Sequence, residues 1–143
     1  MTDRIHTLQS LRVRYAARLL QLRRSMGLSQ TQLAQKAGVH RSYPSQIERG
    51  VVNISLDSLE KLFEVLLPEL HDGRPLRIRV GEAIRKVRGE KISQEQLSLL
   101  VEMSLTTIGR IERGEMATSI DQIERLAQAL GMKGEDLLEN SAG

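Results

Sequence analysis

The chain repeats itself. Residues 28–66 align without a gap to residues 92–130, at an offset of 64, with 13 of the 39 aligned positions identical. Ser29, Gln30, Gln32 and Leu33 recur as Ser93, Gln94, Gln96 and Leu97, and the run Ile47-Glu48-Arg49-Gly50 recurs whole as Ile111-Glu112-Arg113-Gly114. Upstream the match continues at an offset of 65, pairing Leu19 with Ile84, Leu22 with Val87 and Arg23 with Arg88. One residue has therefore been lost in the turn before the second Ile-Ser-Gln. Self-similarity at a fixed period marks a duplicated architecture. The expected organisation is two small domains, 1–72 and 73–143, separated by Pro68 and Gly73-Arg74-Pro75.

Each copy reads as a string of short helices. Leu8, Leu11, Tyr15, Leu19 and Leu22 step by three or four residues, the apolar stripe of an amphipathic helix that ends at Met26-Gly27. Ser29 caps a second helix, with Gln32 placed to complete a capping box, and Ser93 and Gln96 repeat the arrangement. Gly38 closes that helix with the residue that tolerates positive φ. A third helix covers 41–48 and stops at Gly50, and Leu56, Leu59, Leu62 and Leu66 mark a fourth, capped by Ser55. Leu76–Val80 reads as the start of the second copy's first helix. The expected fold is all-α, two units of about five short helices each.

A helix ending at Gly38, a three-residue turn and a polar helix at 41–48 form a helix-turn-helix. An α-helix fits the major groove of DNA, where each base pair shows a distinct set of donors, acceptors and methyls. The N-terminal side chains of the third helix must then be able to bond base edges, which makes Arg41, Ser42, Tyr43, Ser45 and Gln46 the candidate readers. An arginine suits guanine O6/N7 and a glutamine suits adenine N6/N7. The second copy offers Leu105, Thr106, Thr107, Gly109 and Arg110 at the same places. Leu105 cannot hydrogen-bond, although it can touch a thymine methyl. His40 stands at the cap of the third helix, open to a phosphate or base contact or to a plain exposed cap. Ser104 is its counterpart.

The pattern Leu22-Arg23…Leu28-Ser29-Gln30…Leu33-Ala34…Gly38-Val39…Ile47-Glu48-Arg49-Gly50 resembles the lambda-repressor/Cro-like (XRE) helix-turn-helix family. The stretches His40-Arg41-Ser42-Tyr43 and Asn53-Ile54-Ser55-Leu56 make the first copy similar to restriction-modification controller proteins. The resemblance covers about 12–67 and 78–139. It implies that Gln30 and Gln94 place an amide against a phosphate, and that Arg49 and Arg113 do likewise across the groove. Such contacts set register without reading sequence. It also implies that Glu48 and Glu112 turn inward to pair with Arg23 and Arg88, and these partners recur in both copies. Two positions depart from the family. Pro44 replaces a branched apolar residue, so the first recognition helix is expected to begin late or sit kinked. Glu102-Met103 replaces the Gly38-Val39 turn, so a less regular turn is expected in the second copy.

Charge divides unevenly. Residues 1–74 hold 11 Lys/Arg and 7 Asp/Glu, or +4, whereas residues 75–143 hold 10 and 11, or −1. A basic copy beside a near-neutral one points to a polyanion engaged mainly by the first, the second either reading DNA or serving dimerisation. Without cysteine, disulfides and thiolate metal sites are excluded. His6, His40 and His71 have no metal-like spacing, and no phosphate loop or catalytic triad is present. No enzyme activity, metal, cofactor, small-molecule ligand or membrane is expected, and the absence of an apolar leader favours the cytoplasm. The expected function is a double-stranded DNA-binding transcriptional regulator, a repressor or controller acting at its own or a neighbouring promoter. Either a homodimer or an intrachain pseudo-dimer would serve it, with the homodimer favoured. The competing reading is an antitoxin whose DNA-binding unit also masks a partner protein.

Overall fold

With aromatic residues at only 2% of the chain, the core has to be filled by aliphatic side chains spaced along helices. The computed structural model describes residues 9–139 and has that character. Its helices are α1 (Leu11–Ser25), α2 (Gln30–Ala37), α3 (Tyr43–Glu48), α4 (Leu56–Leu66), α5 (Leu76–Gly89), α6 (Gln94–Val101), α7 (Leu105–Glu112), α8 (Ile120–Ala129) and α9 (Gly134–Glu139), with a 3-10 turn at Pro68–Leu70. No strand occurs among the described residues, and no helix there is long and apolar enough to cross a membrane. The all-α reading holds. Leu8 of the expected first stripe, His6, and Asn140 to Gly143 lie outside the described residues.

The described residues separate into two compact units. One contains those up to Ile54 together with Ser58–His71, and the other contains Ser55–Asp57 and those from Asp72. In the first, α3 packs on both α1 and α2. Leu11, Tyr15, Leu19, Leu33, Ile47 and Leu62 are buried there, and the rings of Tyr15 and Phe63 meet at a centroid distance of 6.0 Å. In the second, α7 packs on α5 and α6, while α9 closes over α8 and α5. Val80, Ile84, Leu97, Ile108, Ile123 and Leu137 form its core. Burying an aliphatic side chain of this size is worth about 1.5–3 kcal/mol.

Close approach of α5 and α7 depends on one residue. A Cβ on Gly81 would press against the Ile111 carbonyl oxygen and lie 2.9 Å from that of Glu112. The first unit accommodates Ala16 at the corresponding point of α1, so its α1–α3 contact does not demand a bare backbone.

Helix boundaries follow local chemistry closely. Ser29 Oγ accepts from the Gln32 backbone N–H (3.0 Å) while Gln32 Oε1 accepts from the Ser29 N–H (2.8 Å), a complete capping box. Ser93 and Gln96 close the same box at 3.1 and 2.8 Å. Ser119 and Gln122 form a third at the head of α8. Gly38 ends α2 at φ 71°, in the left-handed region.

The second unit's turn corrects an expectation. Glu102 ends α6 at φ 56°, ψ 40°, beside φ 71°, ψ 34° for Gly38, so the backbone path is preserved rather than loosened. The Met103 N–H reaches the Ser98 carbonyl at 3.2 Å, just as Val39 reaches Ala34 at 3.1 Å. Ser98 Oγ adds a bond to the Met103 carbonyl. Glu102 is the sole non-glycine residue at positive φ among those described. Its Cβ crowds the following carbonyl, a strain of about 1–2 kcal/mol that the tertiary frame imposes. Glu102→Gly is therefore expected to stabilise the second unit by about 1 kcal/mol, part of the relieved strain being offset by glycine's larger unfolded-state entropy. Chemical denaturation checks this, with Glu102→Ala as the control that keeps the strain. Equal midpoints for the two variants would show that the strain is no larger than glycine's entropic cost.

Candidate nucleic-acid interface

The interface is built on α2–turn–α3 and its repeat, α6–turn–α7. What holds each second helix in place is a carboxylate inside the unit. Glu48 accepts a fork from Arg23, Nε to Oε2 at 2.8 Å and Nη2 to Oε1 at 2.9 Å. The third guanidinium nitrogen donates to the Leu28 carbonyl at 2.8 Å. Glu112 repeats the fork with Arg88, through Nε to Oε2 and through Nη2 to Oε1 at 3.1 Å, and Arg88 Nη1 reaches the Ile92 carbonyl at 3.2 Å. The four side chains are 7–13% exposed apart from Glu112, at 2%. The carboxylate beside Arg23 pushes that guanidinium's pKa further up. One arginine thus ties α1 or α5 to the end of the recognition helix and to the loop ahead of α2 or α6. Planar, bidentate pairing is what makes the tie directional.

A partner unforeseen in the sequence joins each fork. Gln30 Nε2 donates to Glu48 Oε1 at 3.1 Å, and Gln94 Nε2 donates to Glu112 Oε1 at 2.9 Å. These are the glutamines expected at phosphates. Each has one amide N–H committed to the buried carboxylate, which orients the side chain at the first residue of α2 or α6. Its second N–H is not engaged by a described residue. The repetition of Gln30 and Gln94 beside Glu48 and Glu112 was the available signal, but pairing across 18 residues cannot be read from spacing alone.

The two recognition helices differ in how they start. In the first unit α3 begins at Tyr43, two residues later than the expected 41–48, because Pro44 at the second helical position has no N–H to donate and needs none there. Arg41 and Ser42 consequently lie in the turn. Instead of a serine cap, the Ser42 N–H donates to His40 Nδ1 at 3.1 Å, and Ser42 Oγ lies 2.7 Å from the same nitrogen. His40, Arg41, Ser42 and Arg49 are exposed, while Tyr43, Ser45 and Gln46 are half-buried. In the second unit Ser104 caps α7 in the ordinary way, accepting from the Thr107 N–H at 3.0 Å and donating to Thr107 Oγ1 at 2.8 Å. Ser104, Thr106, Arg110 and Arg113 are exposed and Thr107 is half-buried.

A helix, a left-handed turn and a second helix locked from behind by an arginine–glutamate fork are all present twice. The helix-turn-helix family pattern covers residues 19–66 and again 83–137. The chain belongs to the XRE-type helix-turn-helix family. Among curated relatives it is 38% identical over 66 residues to Control protein C.BamHI of Bacillus amyloliquefaciens, a match covering 45% of this chain and 82% of that one. It is 46% identical over 55 residues to the HTH-type transcriptional regulator SinR of Bacillus subtilis (strain 168), covering 38% of this chain and 50% of SinR. SinR of Bacillus licheniformis matches to the same extent. No solved structure matches.

Beyond the helix-turn-helix scaffold, the second unit's outer face has changed character. Leu99 and Leu100 are 80% and 62% exposed where the first unit has Gln35 and Lys36, and Leu105 is 45% exposed where it has Arg41. Leu105 lines a shallow, open depression with Arg88, Ser93, Gln94 and Glu95. Arg113 also differs from Arg49: its guanidinium donates from Nε to Glu115 Oε1 at 2.8 Å and from Nη2 to Oε2 at 3.1 Å. The hydrogen bond from Arg113 lowers the Glu115 pKa from its ordinary value. Among the described residues, no group of three or more His, Asp or Glu side chains gathers as a metal site would need.

Proposed function

We propose that the chain is a sequence-specific double-stranded DNA-binding regulator of transcription, a repressor or controller working in the cytoplasm at its own or a neighbouring promoter, with no catalytic role. The observation that carries this reading is the duplicated scaffold, in which a buried glutamate fixes a short helix whose exposed edge, in the first unit, is polar and cationic. Family membership supports DNA-binding transcription regulation, as do the control protein and the transcriptional regulator among its relatives. Residues 1–72 and 73–143 act as two domains. In the first, Arg41, Ser42, Tyr43, Ser45 and Gln46 address base edges, and Gln30, His40 and Arg49 the backbone. In the second, Ser104, Thr106, Thr107 and Arg110 face the groove, with Gln94 and Arg113 at phosphates. Backbone contacts of this kind make affinity fall steeply with salt.

Selection from a random pool of duplex DNA by the full chain tests the proposal. Enrichment of a defined motif is expected, and a pool that stays random at moderate salt would overturn sequence-specific recognition. The exposed Leu99 and Leu100, in place of a polar pair, favour a homodimer as the working form. Such a dimer enriches a palindrome, two half-sites about 34–36 Å or a multiple of that apart, whereas a single chain enriches an asymmetric site.

A further inference from the structure

Both units carry an arginine immediately after the recognition helix, yet its surroundings are opposite in the two. Arg49 is exposed and the residue two places on is Val51, which offers it no charge. Arg113 instead meets Glu115 through a two-bond fork of 2.8 and 3.1 Å. The same guanidinium lies over α7 itself: a Cβ built on Gly109 would stand 2.9 Å from Arg113 Nη1 and 3.7 Å from Cζ. The first unit has Ser45 at that position. Two differences between the repeats, Val51 against Glu115 and Ser45 against Gly109, therefore converge on one side chain. The acid draws the guanidinium back, and the bare glycine leaves room for it to lie down.

A carboxylate and a phosphodiester present the same face to a guanidinium, two oxygens accepting two parallel N–H bonds. We propose that Glu115, with Gly109, sets the DNA affinity of the second unit by holding Arg113 in a neutralised pose over α7, so that a DNA phosphate must displace the Glu115 carboxylate to be bound. This rests on the DNA-binding reading above. It makes the two units unequal by construction: the backbone clamp is open at Arg49 and closed at Arg113. Because the pair is exposed, the closure is a bias rather than a block, since such pairs are worth little in water.

The test uses the full chain and a long mixed-sequence duplex, followed by fluorescence anisotropy across a salt series. Glu115→Val, which copies the first unit, and Glu115→Gln are expected to tighten binding about 2- to 5-fold and to steepen the plot of log affinity against log salt by about 0.9, the signature of one more neutralised phosphate. Gly109→Ser is expected to act in the same direction by lifting the guanidinium off α7. The gain must vanish when Arg113→Ala is combined with Glu115→Val. If that double variant binds as tightly as Glu115→Val alone, removal of a negative charge explains the gain and the proposal is overturned. If Arg49→Ala weakens binding while no Glu115 variant changes it, the DNA reading stands and this proposal fails. If neither the unaltered chain nor any variant binds duplex, both fall together. All these positions except Gly109 are exposed, so a thermal unfolding curve suffices to confirm that each variant is folded.

Discussion

Glu112→Ala is expected to destabilise the second unit by about 3–5 kcal/mol, the usual consequence of removing one partner of a buried ion pair. The Glu112 side chain is 2% exposed and accepts from Arg88 and from Gln94. Removing it leaves the Arg88 guanidinium, 13% exposed, with the Ile92 carbonyl as its remaining partner and no counter-charge. The same change frees the end of α7 from α5, so the recognition helix loses its anchor as well as the unit its stability. Against a total of roughly 0.05–0.15 kcal/mol per residue, a loss of this size removes a large fraction of the stability of a unit so small. Urea denaturation followed by circular dichroism reads the effect. Replacing both partners together, Arg88→Met with Glu112→Leu, is expected to cost clearly less than Glu112→Ala, because no charge is then stranded. A loss below about 1 kcal/mol for Glu112→Ala would place the pair among surface salt bridges and remove the anchoring argument.

The second large effect concerns recognition. Arg41→Ala and Gln46→Ala are each expected to weaken binding to the selected site by about 1–3 kcal/mol, or roughly 5- to 150-fold, the worth of a bidentate side chain–base pair. Binding to unrelated duplex is expected to change far less, since the backbone contacts remain. Arg41 lies in the turn ahead of α3, whose shape is held by the His40–Ser42 bonds, so its side chain extends from a constrained backbone. Gln46 stands on α3 itself. Equal losses on selected and unrelated DNA would show that these residues attract the polyanion without reading it. The second unit has Leu105 and Arg110 at these two positions, so its share of recognition is expected to be smaller.

Much of this was legible in the chain. The period of the apolar residues located the helices, because a stripe every three to four residues is buried only in one secondary structure. Ser29, Ser93, Gln32 and Gln96 announced their capping boxes, because those bonds close within four residues. The Arg23–Glu48 and Arg88–Glu112 pairs were reachable only because the duplication and the family resemblance put the same partners in both copies. Other features escaped. The late start of α3 was foreseen as one of two outcomes of Pro44, and which of them holds depended on how α3 meets α1 and α2. The regular turn at Glu102 went against propensity: the packing around α6 and α7 outweighs about 1–2 kcal/mol of left-handed strain. Nothing in sequence spacing joined Gln30 and Gln94 to the buried carboxylates.

The repeat and the apolar period settled the class of fold, the doubling of the unit and, to within two residues, where each third helix lies, since helices and their caps rest on interactions between residues close in sequence. The difference between the two copies was decided elsewhere. Nothing along the chain links Glu115 to Gly109 until Arg113 is seen lying between them, and the exposure of Leu99 and Leu100 does not follow from their spacing. Charge and burial at those positions depend on which side chains the folded backbone brings within reach. That is a property of packing in three dimensions, which periodicity along the chain does not encode.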